Sequence, residues 1–185
     1  MRHTRILSFD PGTTCLGWAV SQYQFDTDKF QVIKFGNVKP SDNAKKLKEE
    51  CVVYTRQLMS LFLIEDVVRE LMETYSPQYV VSEDAFYNPR RGVHPYIALK
   101  LCINTIARIV MDYKLGLFKI SPCGIKSIVT GNGHADKLTI QDAILNNPQI
   151  SFKAAKQIAF DKMVEHEADA IAVGYAFVKK GLCLG

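Results

Sequence analysis

Two acids end apolar runs in this chain, and a third follows a histidine by three residues. The first closes the run Arg5-Ile-Leu-Ser-Phe-Asp10 and is followed by Pro11 and Gly12. Ile6, Leu7 and Phe9 favour a strand, Pro11 stops further backbone pairing, and Gly12 takes a turn that other residues resist. Asp10 is therefore expected at the end of a buried strand, facing the crevice where open α/β sheets bind ligands. Three readings fit an aspartate so placed: a metal ligand for phosphodiester chemistry, part of a loop cradling a nucleotide phosphate, or a turn residue capping its own backbone. The second run, Tyr79-Val-Val-Ser-Glu83, again ends in acids, Glu83 and Asp84. A carboxylate ending an apolar strand has little structural use. The third element is His166-Glu-Ala-Asp169, whose histidine and aspartate are neighbours on one helical face. Taken singly, Asp169 reads as a helix cap and His166 as a surface histidine. Taken together, Asp10, Glu83, His166 and Asp169 form a hard, mostly oxygen donor set suited to Mg²⁺ or Mn²⁺ and not to structural zinc. Two such ions about 3.5–4 Å apart can bind a scissile phosphate, activate a water and stabilise the leaving oxygen. Without metal, three carboxylates in one crevice would repel one another and raise their own pKa values.

The elements that must position these groups follow from periodicity and punctuation. Strands are expected over residues 5–10, 15–20, 30–38, 79–83 and 117–120. Residues 44–75 hold no Gly or Pro, and their leucines and valines recur at helical spacing, as one helix or as two with a break near Ile64. His94-Pro95 opens a helix to about Leu115, Ser121-Pro122 caps a short one through Val129, and another runs from about Asp136 to Leu145. A short basic segment (Lys153, Lys156) precedes a last helix from about Glu165, with Lys179 and Lys180 in its final turn and Gly181 as its C-cap. Small residues at Ala168, Ala170, Ala172, Val173 and Gly174 would let that helix approach the sheet closely. Three hairpin-joined strands followed by crossovers make an α/β fold: a mixed five-stranded sheet flanked by helices, the last two strands parallel to the first. Both strand-end acids then project from the same end of the sheet.

Length and composition bound the class. The chain of 185 residues is 48% hydrophobic and 23% charged, enough for one domain with a real core. No apolar run approaches the roughly 20 residues that span a bilayer, and the first residues lack a signal peptide's apolar stretch. A soluble, cytoplasmic protein is expected. Five scattered cysteines, never paired as Cys-x-x-Cys, argue against a zinc finger and a secreted disulfide scaffold, and suit buried thiols in a reducing compartment. A net charge of +4 is compatible with nucleic acid and does not demand it.

Four segments in order resemble the RuvC-type Holliday junction resolvases of the ribonuclease H-like superfamily. They are Ile6-Leu-Ser-Phe-Asp-Pro-Gly-Thr-Thr-Cys-Leu-Gly17, Tyr79-Val-Val-Ser-Glu-Asp-Ala-Phe86, Ile125-Lys-Ser-Ile-Val-Thr-Gly-Asn-Gly-His-Ala-Asp-Lys137 and His166-Glu-Ala-Asp-Ala-Ile-Ala-Val173. The resemblance implies that Asp10, Glu83, His166 and Asp169 are catalytic metal ligands for Mg²⁺ or Mn²⁺, His166 standing where the family carries either His or Asp. It implies that Lys126 and Lys137 meet DNA phosphates near the cut, where the bland alternative is two solvated helix lysines. Phe86 matches an aromatic placed near the junction centre, able to stack on an unpaired base, and otherwise closes the core edge. Arg90 and Arg91 beside it would hold the DNA backbone. A homodimer is implied, because a four-way junction needs two symmetric cuts, and the helix 95–115 is the candidate interface. The long 44–75 stretch and the absence of a basic tail after the last helix suggest a viral or organellar member.

The leading expectation is a metal-dependent crossover junction endodeoxyribonuclease that makes paired symmetric nicks. A broader flap or branched-DNA nuclease on the same fold and a non-catalytic junction-binding module remain as alternatives. A sugar-kinase or actin-like ATPase shares the Asp-x-Gly-Thr-Thr loop but needs two such domains, which this length hardly accommodates.

Overall fold

The computed structural model describes residues 2–12, 14–39, 56–153 and 163–181. Three antiparallel strands open the chain: β1 (His3–Asp10), β2 (Leu16–Gln24) and β3 (Lys29–Val38). Helix α1 (Arg56–Tyr75) leads to β4 (Tyr79–Glu83), α2 (Val93–Asp112) and β5 (Leu117–Ile120). Then come α3 (Pro122–Thr130), α4 (Lys137–Leu145), β6 (Ile150–Phe152) and α5 (Glu165–Lys179). The strands form one sheet in the order β5-β4-β1-β2-β3-β6. As expected, β4 runs parallel to β1 and β5 parallel to β4.

The period-2 alternation of the strands sorts the core into two layers. Leu7, Phe9, Leu16, Val20 and Val80 face α1 and α2, where Ile64, Val68, Ile106 and Ile109 meet them fully buried. Ile6, Ala19, Phe30 and Val81 face the other way, towards α3, α4 and the almost wholly buried α5. Gly174 explains how α5 lies so close. A Cβ there would stand 2.9 Å from Ser8 Oγ and 3.1 Å from the Phe30 ring, so the small-residue surface read from the sequence presses directly on β1.

The structure corrects several sequence expectations. The sheet has six strands, not five, because Ile150–Phe152 adds to β3 in parallel register. A three-residue strand straight after Asn147-Pro148 is too short to show a period, and only the neighbouring edge of β3 defines it. Of the two forms expected for the long stretch, the described part takes the unbroken one: α1 passes through Ile64, which is wholly buried, and residues 44–55 lie outside the described residues. Strand β2 continues beyond Val20 to Gln24 through polar residues that pair with both neighbours. Helix α2 spans 93–112 and not 95–115, ending where Lys114 takes a positive φ of 60°. The C-cap of α5 is Lys180, with Gly181 one residue on at φ 65°. Of the thiols, Cys15 and Cys102 are buried as expected, but Cys123 is exposed. Among the described residues no helix is long and apolar enough to cross a membrane.

Candidate active site

Parallel pairing sets Phe9 beside Ser82, so the next residues, Asp10 and Glu83, leave the carboxyl ends of adjacent strands together. Asp84 goes elsewhere: Lys100 on α2 pairs with it at 3.0 Å, and its amide donates to the Ile120 carbonyl. Only the first of the two acids ending β4 therefore reaches the site. The first turn of α5 delivers His166 and Asp169 to the same place. Asp10, Glu83, His166 and Asp169 line one cleft of about 260 Å³, with Lys126, Lys137 and the apolar wall of Pro122, Ile125 and Ile140. All six polar groups picked out for catalysis thus converge from β1, β4, α3, α4 and α5.

Local structure holds each of them. Ser121 caps α3 by accepting from Gly124 N, which aims the helix so that Lys126 faces the cleft, and Lys126 Nζ donates to the Ala135 carbonyl at 2.7 Å. Asp136 caps α4 through Thr139 N at 2.8 Å, placing Lys137 at the first helical position, where it pairs with Glu165. His166 Nδ1 lies 2.6 Å from Asp10 Oδ2.

The electrostatics are those of negative charge crowded out of water. Burial first, then the charges of Asp10 and Asp169, push Glu83 up to about 8. Burial and Asp10 raise Asp169 to about 6, with Lys137, His166 and Lys126 opposing. The hydrogen bond to Asp10 raises His166 against the opposing effect of burial. Both shifted acids keep a proton in the fold that the unfolded chain releases near its ordinary pKa. Their contribution to stability is therefore complete below about pH 4 and drains away as pH rises through about 6 and about 8. In EDTA at pH 8, Glu83→Gln should stabilise the protein by roughly 2 kcal/mol, about 5 °C in Tm for a chain of this size, and at pH 4 the gap should close. A melting series over pH 4–8 reads this directly, and equal Tm values at pH 8 would contradict it.

The donor set suits a hard divalent cation in kind and in charge, since such an ion relieves the repulsion that raises Glu83 and Asp169. Among the described residues no three His, Cys, Asp or Glu side chains are already arranged to enclose a metal ion. The imidazole meets Asp10 through Nδ1, which leaves Nε2 as the ring nitrogen that a cation could take.

Of the residues selected for DNA, Lys126 and Lys137 line this cleft, and Phe86, Arg90 and Arg91 lie apart from its lining. Phe86 is 71% exposed in the loop after β4, and Tyr87 beside it packs edge-on against Tyr96. Arg90 and Arg91 form an exposed single turn of 3₁₀ helix capped by Asn88. An aromatic closing the core edge would be covered, which Phe86 is not.

Three residues at the site escaped the sequence reading as working parts. Gly17 sits opposite Asp10 in the β1–β2 register, and a Cβ on it would fall 1.9 Å from the His166 carbonyl oxygen. Glu167 is buried, its Oε2 accepting from Val164 N at 3.0 Å and its Oε1 from Asn37 Nδ2 at 2.7 Å. In the sequence Glu167 is only a member of the closing motif, and an acid three residues after the cap position is the one local signal that marks it.

A sheet with an antiparallel opening hairpin, parallel crossovers and acids on its first strand, fourth strand and closing helix defines a ribonuclease H-like protein. Within that class, the family model described as Crossover junction endodeoxyribonuclease RuvC matches residues 6–177, and the chain belongs to that family. A curated relative, the Crossover junction endodeoxyribonuclease RuvC of Rickettsia felis, is 28% identical over 172 residues, covering 92% of this chain and 94% of its own. Among solved structures, Thermus thermophilus RuvC in complex with Holliday junction substrate superposes with a TM-score of 0.72 at 19% identity, over 96% of this chain and 94% of that one. The yeast mitochondrial Holliday junction resolvase superposes with a TM-score of 0.69 at 12% identity, over 95% and 78% of the two chains.

Proposed function

We propose that the cleft is the active site of a divalent-metal-dependent endonuclease that resolves four-way DNA junctions by paired symmetric nicks, with the activity carried by a single domain in a cytoplasmic compartment. The observation that carries this reading is the convergence of Asp10, Glu83, His166 and Asp169 with two lysines in one cleft. Family membership supports the junction as substrate.

In this reading Asp10, Glu83, His166 and Asp169 hold Mg²⁺ or Mn²⁺. When bound, a pair of such ions lowers the pKa of an attacking water and stabilises the leaving oxygen. Lys126 and Lys137, from opposite helices of the cleft wall, hold the phosphate on either side of the cut. Each must first give up a partner seen here, Ala135 O for Lys126 and Glu165 for Lys137. Phe86 stacks on an unpaired base at the junction centre, worth roughly 1–3 kcal/mol, while Arg90 and Arg91 hold the backbone and make binding salt-dependent. Two copies pair through α2, where Val93, Ile97 and Leu101 leave an exposed apolar stripe at helical spacing, and the two-fold axis presents two sites to one junction.

The test is a labelled synthetic four-way junction beside a matched linear duplex, with and without metal. Symmetric nicks with 5′-phosphate and 3′-hydroxyl ends are expected on the junction alone. Because an imidazole softens the donor set, Mn²⁺ should support cutting at least as well as Mg²⁺. Cutting with Mg²⁺ and none with Mn²⁺ would remove His166 from the ligand set. No nick with either metal would leave a non-catalytic junction-binding module, and equal cutting of flaps would favour the broader branched-DNA nuclease.

A further inference from the structure

One rung of the sheet meets the first turn of α5 at three successive strands. Asp10 pairs with Gly17, and Gly17 pairs with Asn37. Residues directly opposite in antiparallel strands point to the same face, so all three face α5. Asp10 takes the His166 imidazole, Gly17 takes the His166 backbone carbonyl against its bare Cα, and Asn37 takes Glu167. Glu167 joins the rung to the helix, because its second oxygen accepts from Val164 N and closes the start of α5. Val164 has no side-chain acceptor to offer in return, so this carboxylate alone caps the turn.

We infer that Asn37 and Glu167 are positioning residues for the nuclease reaction: their hydrogen bond clamps the first turn of α5 to the third strand and so sets where His166 and Asp169 stand relative to Asp10 and Glu83. A link spanning 130 positions of chain is a tertiary constraint and not a local cap. The Asn37–Glu167 contact is largely withdrawn from water, Glu167 being 8% exposed, so breaking it leaves a desolvated carboxylate with one partner fewer. The first turn would then relax by side-chain or backbone movement, and misplacement of catalytic groups by about 1 Å is worth up to ~10²-fold in rate.

The inference rests on the nuclease reading for its rate measurement, so a second readout independent of DNA goes with it. Asn37→Asp sets a carboxylate against Glu167. At saturating junction its kcat should fall at least about tenfold, while junction affinity stays within about twofold, because no DNA-contacting group has changed. Adding Glu167→Gln supplies a side-chain N–H to the new carboxylate, and the double variant should recover to within about threefold of wild type. Glu167→Gln alone should lose less than Asn37→Asp. In parallel, amide exchange across 163–169 should quicken about tenfold or more in Asn37→Asp and slow again in the double variant. If Asn37→Asp does not fold, Asn37→Ser takes its place and should lose at least about fivefold in kcat with unchanged junction affinity. Wild-type kcat and exchange in the single variants would overturn the clamp, as would a double variant no better than Asn37→Asp. A wild-type chain that fails to cut would sink the nuclease reading instead, and the exchange arm would still decide the clamp.

Discussion

Asp10→Asn and Glu83→Gln should each abolish junction cutting and leave junction binding intact. The expected fall exceeds about 10³-fold in kcat, beyond the ~10²–10³ that losing one preorganised electrostatic group costs, because each change removes a charged donor from a four-donor set. Asp10 is the most connected of the four. It accepts from His166 at 2.6 Å, and its charge is among the causes that raise both Glu83 and Asp169. Asn at this position still accepts a hydrogen bond from the imidazole, so the fold survives while the anionic oxygens are lost. Binding is preserved because neither substitution adds negative charge to a surface that must meet phosphates. The measurement pairs single-turnover cutting of a labelled junction with a mobility-shift titration at the same salt. Cutting retained within about tenfold in either variant would defeat the assignment of the cleft.

Gly17→Ala should produce the second large effect without touching a catalytic side chain. The added Cβ would stand 1.9 Å from the His166 carbonyl oxygen, 2.6 Å from its carbon and 3.0 Å from its Cβ. The first two are backbone atoms, so no rotamer change relieves the clash, and the start of α5 must lift from β2 by about 1.5 Å to reach ordinary contact. Ala168, Ala170, Ile171 and Ala172 follow at once, all buried, so the lift also opens core contacts. Overpacking of this kind costs typically 1–3 kcal/mol, and more where backbone meets backbone. Since His166 and Asp169 move with the helix, cutting should fall about 10²-fold or more even where the variant is folded. Gly116, between α2 and β5, is the control: a Cβ there meets nothing within 4 Å, and Gly116→Ala should leave Tm and cutting unchanged. Thermal melting and junction cleavage of the two variants decide the matter. A Gly17→Ala protein with wild-type Tm and rate would show that α5 does not need this approach.

These effects have different visibility in one dimension. Asp10 and Glu83 announce themselves because an ionisable residue at the end of an apolar strand contradicts burial, and that contradiction is local. His166 and Asp169 are marked by helical spacing and by the small residues behind them, again within a few positions. The caps at Ser121 and Asp136 are equally local, each a side chain accepting from an amide three residues on. The role of Gly17 is not of this kind. In the chain it is one more glycine after a turn, and only the approach of a carbonyl 149 positions later gives it a function.

Composition, periodicity and strand-end acids thus determined the α/β layering, the parallel placement of β4 on β1, and the four residues that line the cleft with two lysines. Those features depend on interactions among near neighbours, or on alternation that repeats along a strand. Tertiary structure alone decided the sixth strand, the turn of Asp84 away to Lys100, the pairing of Lys137 with Glu165, and the Asn37–Glu167 clamp. Each is a single contact between segments far apart in the chain, and a lone contact leaves no period, spacing or composition bias to read. It comes into being only when packing of the core has already brought the two segments together.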